Sequence, residues 1–140
     1  MADRILVGYD GSPQATDALE FAFEKFPDAT VIALHVIEVP DGRWAQIVGP
    51  ELQLPVTERA REYAADVLES ATDIAAERGR SLETKIVTGE PDHRIVAQAA
   101  DESVDLIVVG SHGQEVSRML LGSVAENVVR RSPVPVLVVR

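Results

Sequence analysis

The feature that most constrains the fold of this chain is a regular alternation of short apolar runs with segments of helical periodicity. Five apolar runs are typical of strands, and they cover residues 4–9, 30–37, 82–87, 106–109 and 134–139. The four segments between them repeat apolar residues every three or four positions, as amphipathic helices do. Strands that alternate with helices favour a parallel sheet covered on both faces. We therefore predict a single doubly wound α/β domain over residues 1–140, with a five-stranded parallel sheet, helices on both faces and the strand order 3-2-1-4-5.

Local signals predict where the helices begin and end. Ser12 and Pro13 are typical of a helix start and precede a helical pattern over 15–26, and Gly79 is typical of the end of a long helix over 57–78. The inward face of that long helix is expected to carry Ala60, Tyr63, Ala64, Val67, Leu68, Ala71, Ile74 and Ala75. The third helix is expected to bury Ile95, Val96, Ala99 and Ala100, and the fourth covers 123–131.

Two segments depart from these regular patterns. The run 82–87 alternates apolar and polar residues, which predicts a less buried strand. The segment 38–56 is rich in proline and glycine and has no sustained period, so we expect an irregular excursion. Its Trp44 is expected to pack on the core of the domain, and the alternative is that it closes over a ligand or contacts a partner.

Composition excludes several kinds of site. The absence of cysteine excludes disulfides, thiolate nucleophiles, zinc–thiolate centres and iron–sulfur clusters. The net charge of −10 argues against a nucleic-acid partner, because no basic stripe is available for phosphates. The only lysines are Lys25 and Lys85. An acidic chain poor in lysine is consistent with a halophilic source, and the alternative is a GC-rich genome that favours arginine.

No segment is typical of membrane insertion or export. The apolar stretches, such as 106–109 and 134–139, are far shorter than the roughly 20 residues that a membrane-spanning helix needs. The N-terminal residues lack the basic start and longer apolar core of a signal peptide. We therefore expect a cytoplasmic protein that does not associate with membranes.

The expected ligand site follows from the topology. In doubly wound sheets, ligands bind outside the carboxyl ends of the strands, where the strand order reverses. Residues 10–12 leave the first strand at that point, and Gly110 and Gly113 leave the fourth. Gly122 and Ser123 then open a helix. Glycines let backbone amides approach phosphate oxygens, and a helix N-terminus adds unpaired donors, so this arrangement suits a phosphate chain.

Each of these residues also has an interpretation that needs no ligand. Gly113 is compatible with a simple turn, and Ser123 with Glu126 fits a capping box that stabilises the helix by itself. Asp10 belongs to an Asp-Gly-Ser-Pro sequence that forms turns in many proteins. From the residues alone, phosphate binding and purely structural roles both remain open.

The histidines and lysines limit the chemistry. His35 lies in an apolar strand and is expected to be a hydrogen-bonded core residue, and His93, near a helix start, has the same interpretation. His112 is expected to face solvent, with a phosphate contact as the alternative. Three histidines this dispersed have no metal-ligand spacing. Neither lysine follows a glycine-rich loop, which disfavours efficient ATP hydrolysis.

At this point the sequence resembles a known family, the universal stress proteins. The resemblance covers the whole chain. It is carried by the opening Arg-Ile-Leu-Val-Gly-Tyr-Asp-Gly-Ser, the Leu-His-Val-Ile run at 34–37, the Thr-Gly-Glu-Pro turn at 88–91, the Leu-Ile-Val-Val-Gly-Ser-His-Gly run at 106–113 and the final Ser-Pro-Val-Pro-Val-Leu-Val-Val. Each motif is weak alone, and together they are specific.

The resemblance implies a nucleotide site and a dimer. ATP-binding members carry Gly-x2-Gly-x9-Gly-(Ser/Thr) after the fourth strand, and this chain matches it with Gly110, Gly113, Gly122 and Ser123, except that eight residues instead of nine separate the second and third glycines. By the same resemblance, Asp10 faces the ribose or phosphates and Val36 offers a main-chain contact to adenine. The family also implies a homodimer through the last strand, Val134–Val139, which would cover the exposed backbone groups of a sheet edge.

The expected function is therefore binding of ATP, with magnesium, as a regulatory or sensing ligand with little or no turnover. One alternative is a nucleotide-free stress adaptor that acts through protein–protein contacts. Another is a slow ATP hydrolase, for which the sequence supplies no obvious catalytic base and so at most weak ATPase activity is expected.

Overall fold

A computed structural model describes residues 3–38, 58–111 and 121–140. These residues form a single α/β domain. Its elements, in chain order, are β1 (Arg4–Gly8), α1 (Pro13–Lys25), β2 (Thr30–Glu38), α2 (Glu58–Glu77), β3 (Glu83–Gly89), α3 (Pro91–Asp101), β4 (Leu106–Gly110), α4 (Ser123–Arg131) and β5 (Val136–Val139). The alternation of strands and helices predicted from the sequence is confirmed. Of the segment 38–56, predicted to be irregular, Glu38 is the last residue of β2, and the rest, with Trp44, lies outside the described residues, as does His112.

The five strands form one parallel sheet in the order β3-β2-β1-β4-β5, which confirms the predicted order. Val7 of β1 pairs with Ala33 of β2 on one side and with Val108 of β4 on the other. The chain leaves β1 toward α1 on one face of the sheet and leaves β4 toward α4 on the other, so a crevice opens at the carboxyl ends of these two neighbouring strands.

The core consists of two apolar clusters, one on each face of the sheet. Helices α1 and α2 cover one face, where Val7, Leu19 and Leu68 are among the buried residues. Helices α3 and α4 cover the other, where Leu6, Ile95 and Val128 are buried. The residues of β1 alternate between the two clusters, which is why an uninterrupted apolar run is needed there. Strand β3 lies at an edge and is less buried, as its alternating sequence predicted.

Several local predictions need correction. In α3, Ile95 and Ala99 are buried as predicted, but Ala100 is exposed, Val96 is only half-buried and Gln98 is buried. His93, expected in the core, is exposed at the start of this helix. Tyr63 of α2 is 55% exposed, although it shares a helical face with buried residues. Strand β5 begins at Val136 and not at Val134, because the Ser132 side chain accepts from the Val134 amide and donates to its carbonyl, which forms a turn there.

Polar contacts join the amino-terminal ends of the strands. The Asp105 carboxylate accepts hydrogen bonds from the amides of Asp3 (2.9 Å) and Arg4 (3.0 Å), and these bonds lower the pKa of Asp105. The Glu102 carboxylate pairs with Lys85 and with Arg4, and the hydrogen bond from Lys85 is the main cause that lowers the pKa of Glu102. Among the described residues, no helix combines the length and apolar character needed to cross a bilayer.

Candidate functional site

A cavity of about 620 Å³ lies at the carboxyl end of the sheet. It is bordered by the ends of β1, β2 and β4 and by the start of α4. Five of the six residues singled out from the sequence line it, namely Asp10, Val36, Gly110, Gly122 and Ser123. The sixth, Gly113, lies outside the described residues. The fold therefore brings together side chains and backbone from positions more than 100 residues apart.

The N-terminus of α4 opens into this cavity without a side-chain cap. Gly122 is the N-cap residue, and the first intrahelical bond is donated by the Glu126 amide to the Gly122 carbonyl (3.0 Å). The amides of Ser123, Val124 and Ala125 precede that bond, so helix geometry gives them no intrahelical acceptor. All three residues line the cavity. The arrangement presents backbone donors and the positive end of a helix dipole to whatever occupies this space.

The predicted capping box at this helix is wrong. Its N-cap is Gly122 and not Ser123, and the Glu126 carboxylate accepts from the Arg130 guanidinium at 2.8 Å. A capping box would need a serine or threonine at the N-cap and a glutamate that reaches back to its amide. The ligand-free interpretation of Ser123 therefore loses its main support.

Helix α1 begins beside the same cavity but is capped by its own residue. Ser12 is 3% exposed, and its hydroxyl accepts from the Ala15 amide at 3.1 Å. The Thr16 amide then donates to the Ser12 carbonyl. The two helix starts at the cavity thus differ, since α1 has a side-chain cap on its Ala15 amide whereas α4 has no side-chain cap.

Asp10 is placed for both roles that the sequence left open, which are a turn contact and a ligand contact. One carboxylate oxygen, Oδ1, accepts from the Ser12 amide at 2.9 Å, which is the turn contact expected of an Asp-Gly-Ser sequence. The residue is exposed and lines the cavity, and among the described residues no donor is bonded to its second oxygen. Asp10 can therefore hold the turn and still accept a hydrogen bond or coordinate a cation.

Glycine is required at position 110 for a structural reason that does not involve a ligand. A Cβ atom at this position would lie 2.8 Å from the Gln14 Cβ and 2.9 Å from the Gln14 backbone, so only glycine lets β4 end this close to α1. The next residue, Ser111, is bonded in two directions. Its amide donates to the Val139 carbonyl (2.8 Å), and its carbonyl accepts from the Gly122 amide (2.7 Å). These bonds fix the start of α4 against the end of β4.

Two aromatic residues of the cavity were missed as site residues by sequence reasoning. His35 is buried, as predicted, and its Nδ1 lies 3.1 Å from the Tyr9 carbonyl oxygen, which requires a proton on Nδ1. Its ring meets the Tyr63 ring edge-on, with centroids 6.1 Å apart. Both residues also line the cavity. The available signal was position, because His35 lies close to the carboxyl end of β2.

The described lining of the cavity carries few charged side chains. It contains two carboxylates, Asp10 and Glu38, one imidazole whose Nδ1 is occupied, and no lysine. A separate group of possible metal ligands consists of Glu90, Asp92 and His93. Asp92 and His93 contact the Arg131 guanidinium, and Glu90 contacts His93, so these side chains already interact with one another and with a cation.

Comparison with known proteins gives a consistent result. The model of the universal stress protein family matches residues 1–140. The universal stress protein YxiE of Bacillus subtilis is 35% identical, and the match covers all of both chains. The solved structure of MJ0577 from Methanocaldococcus jannaschii is 36% identical with a TM-score of 0.78, over 98% of this chain and 94% of that one.

A universal stress protein solved in complex with cAMP is 26% identical with a TM-score of 0.74, over 99% of this chain and 97% of that one. The match of family, sequence and fold over the full described architecture leads to one conclusion: the chain belongs to the universal stress protein family.

Proposed function

We propose that this protein binds an adenine nucleotide, ATP with magnesium, in the cavity at the carboxyl end of the sheet, and that the nucleotide is a regulatory or sensing ligand with little turnover. The observation that carries the proposal is the uncapped N-terminus of α4, whose first three residues line the cavity. Backbone donors at a helix start match the charge and geometry of phosphate oxygens.

The proposed contacts follow the order of groups in the nucleotide. Gly110, Gly113, Gly122 and Ser123 contact the phosphates, Asp10 contacts the ribose hydroxyls or the cation, and the main chain of Val36 contacts the base. The positions of the described residues around one cavity support this assignment. A relative solved with cAMP supports a nucleotide as the ligand class.

The donor set at the cavity also fits a magnesium ion held chiefly by phosphates. Mg²⁺ in nucleotide sites is bound by one or two carboxylates together with phosphate oxygens and water. Asp10 offers one carboxylate oxygen that the turn does not use. The ion would neutralise phosphate charge beside this acidic residue, which is needed in a chain with a net charge of −10.

The positions of the two lysines support slow turnover. Lys85 pairs with Glu102, and Lys25 lies over the Phe21 ring at the end of α1. Neither lines the cavity. Phosphoryl transfer needs positive charge on the transferring group, so the described lining favours binding over hydrolysis.

The first experiment identifies the nucleotide that accompanies the purified protein by mass spectrometry and then titrates the emptied protein with Mg·ATP. We expect Ser123→Ala to weaken binding about tenfold, because one hydroxyl bond to a charged phosphate is lost. Ser81→Ala, an exposed serine before β3, is the matched control and should bind like the parent.

The alternatives give different results in the same assay. A nucleotide-free adaptor would bind no ATP at low or molar salt, and the Ser123→Ala change would be silent. A slow hydrolase would form ADP in a single-turnover reaction on the time scale of minutes. Either result would contradict the proposal.

We also propose a homodimer that forms through β5. This strand is at the edge of the sheet and pairs with β4 alone among the described strands. Antiparallel pairing with the same strand of a second copy, across a two-fold axis, would satisfy its outward backbone groups.

A further inference from the structure

A second recess, of about 470 Å³, lies where β2 and β3 end at the edge of the sheet. Its described lining consists of Ile37, Arg61, Ile86, Val87, Thr88 and Arg94. Ile37 also lines the main cavity, so the two spaces adjoin each other. The lining carries two guanidinium groups and no carboxylate, in a chain whose overall charge is −10.

The two arginines reach the recess from opposite sides of the sheet. Arg61 belongs to α2, which packs on one apolar cluster, and Arg94 belongs to α3, which packs on the other. The strand ends between them are in register, with Ile37 opposite Thr88. The topology therefore brings two cations that are 33 positions apart in the sequence to the same edge of the sheet.

Neither guanidinium is neutralised by a described residue. Arg61, which is exposed, and Arg94, which is half-buried, form no ion pair with a carboxylate within the described ranges, whereas Arg4, Arg78, Arg130 and Arg131 do. Arg59 and Arg80 also form none there, but neither lines the recess. The Nε atom of Arg94 is buried and has no hydrogen-bond partner among the residues that the structure describes. A buried donor without a partner is costly, so such groups usually mark the place of a missing acceptor.

The backbone holds Arg94 in this position. Gly89 has a φ of +138°, and a Cβ atom there would lie 2.9 Å from the Arg94 Cγ and 3.0 Å from its Cδ. The stem of Arg94 thus crosses the space that a side chain at position 89 would fill. This contact limits the freedom of the guanidinium and directs it to the end of β3.

We propose that this recess is an anion site for a phosphate group. The guanidinium groups of Arg61 and Arg94 donate to its oxygens, and the Thr88 hydroxyl supplies a further donor. Paired guanidinium groups favour phosphate because they present several donors in a fixed plane. The phosphate is either inorganic or part of a nucleotide that extends past Ile37 from the main cavity, and only this second source rests on the proposed function.

The direct test is an NMR titration with inorganic phosphate at constant ionic strength. It follows the Arg94 Nε–H signal in the parent, and the backbone amide signals of Thr88 and Gly89 in the parent and in every variant. We expect a saturable shift, and about tenfold weaker binding in Arg94→Gln and in Arg61→Gln. Arg59→Gln is the matched control, since it removes an exposed arginine of α2 that does not line the recess. No saturable shift, or equal weakening in all three variants, would overturn the proposal.

A second titration separates the two sources of phosphate. If the site takes a nucleotide phosphate, adenosine 3′,5′-bisphosphate should bind about tenfold more tightly than adenosine 5′-monophosphate, and Arg94→Gln should remove that difference. If the site takes inorganic phosphate, the two nucleotides should bind equally while the NMR shift persists. The proposed nucleotide site and the proposed anion site can fail separately. If the main cavity does not bind the nucleotide, Ser123→Ala will leave nucleotide binding unchanged, and it will not affect the Arg94 signal.

Discussion

Gly110 and Gly122 belong to the same candidate phosphate segment but are glycines for different reasons. A side chain at Gly110 would collide with Gln14, so its substitution reports on the packing of β4 against α1. Gly122 has a φ of −66° and a ψ of 158°, which any residue adopts. Loss of binding in Gly110→Ala would therefore be ambiguous, whereas changes at Gly122 and Ser123 are informative about the ligand.

At the same scale, Asp105 links the start of β1 to the start of β4 through two backbone amides. These bonds lower the pKa of Asp105 in the folded protein below its value in the unfolded chain, which is about 4. The stabilisation is therefore complete above the unfolded pKa and is lost as the pH falls through the lower, folded pKa.

We expect Asp105→Asn to be less stable than the parent at pH 7, and the difference to shrink as the pH falls below about 4. Urea unfolding at pH 7, 5, 4 and 3 measures both curves. Asp73→Asn, on the exposed side of α2, should run parallel to the parent at every pH. A constant difference between Asp105→Asn and the parent would contradict the prediction.

Among the elements, α1 depends on a residue outside itself for its C-terminal end. Arg80, which follows α2, donates to the carbonyls of Phe23 (2.8 Å), Phe26 (3.2 Å) and Ala29 (2.9 Å). Its guanidinium also lies 5.0 Å from the centroid of the Phe23 ring. One side chain thus satisfies carbonyls at the end of α1 and in the turn that leads to β2.

Replacing this residue should be costly. We expect Arg80→Met to lower the free energy of unfolding by about 2–3 kcal/mol, because charge-assisted bonds to partly buried carbonyls are lost. Arg78→Met is the natural comparison, since Arg78 only forms exposed pairs with Glu20 and Glu24, and should cost less than about 1 kcal/mol. Equal losses in urea unfolding would show that Arg80 has no special role.

The edge strand β5 gives the second prediction at this scale. The carbonyls of Pro135 and Val139 accept hydrogen bonds from the amides of Ile107 and Ser111 in and after β4. Because backbone groups of alternate residues point to opposite sides of a strand, the amide of Val138 points away from β4. Val138→Pro removes the outward amide without breaking the pairing with β4, and it should convert the proposed dimer to a monomer in light scattering.

The control for this change is Val138→Ala, which loses side-chain packing but keeps the amide, and which should remain dimeric. A Val138→Pro protein that is folded by circular dichroism and still dimeric would show that the dimer uses another surface.

For the whole molecule, the net charge of −10 predicts a dependence of stability on salt. Screening of repulsion between carboxylates should raise the melting temperature as KCl increases to about 0.15 M, where the Debye length is about 8 Å. A general acidic protein should then reach a plateau, while a protein adapted to high salt should continue to gain stability at molar KCl. Thermal unfolding across this range distinguishes the halophilic hypothesis from a compositional bias, and a melting temperature that does not change with KCl would contradict the screening argument itself.

The sequence by itself determined the order and type of the elements and the end of the sheet where a ligand would bind. These features depend on local periodicity, on turn residues such as Ser12 and Pro13, and on the rule that parallel strands align their carboxyl ends. They also allowed the family to be recognised. The positions of Asp10 and Ser123 at one cavity follow from the same rule.

Only the tertiary structure decided what depends on contacts between distant segments. Gly122 replaces Ser123 as the helix cap because the Gly122 amide is bonded to Ser111 and Glu126 is drawn to Arg130. Position 110 likewise requires glycine because a side chain there would collide with a residue of α1. The convergence of Arg61 and Arg94 is invisible in the sequence, because its cause is the packing of two helices on opposite faces of one sheet, and no local pattern encodes that proximity.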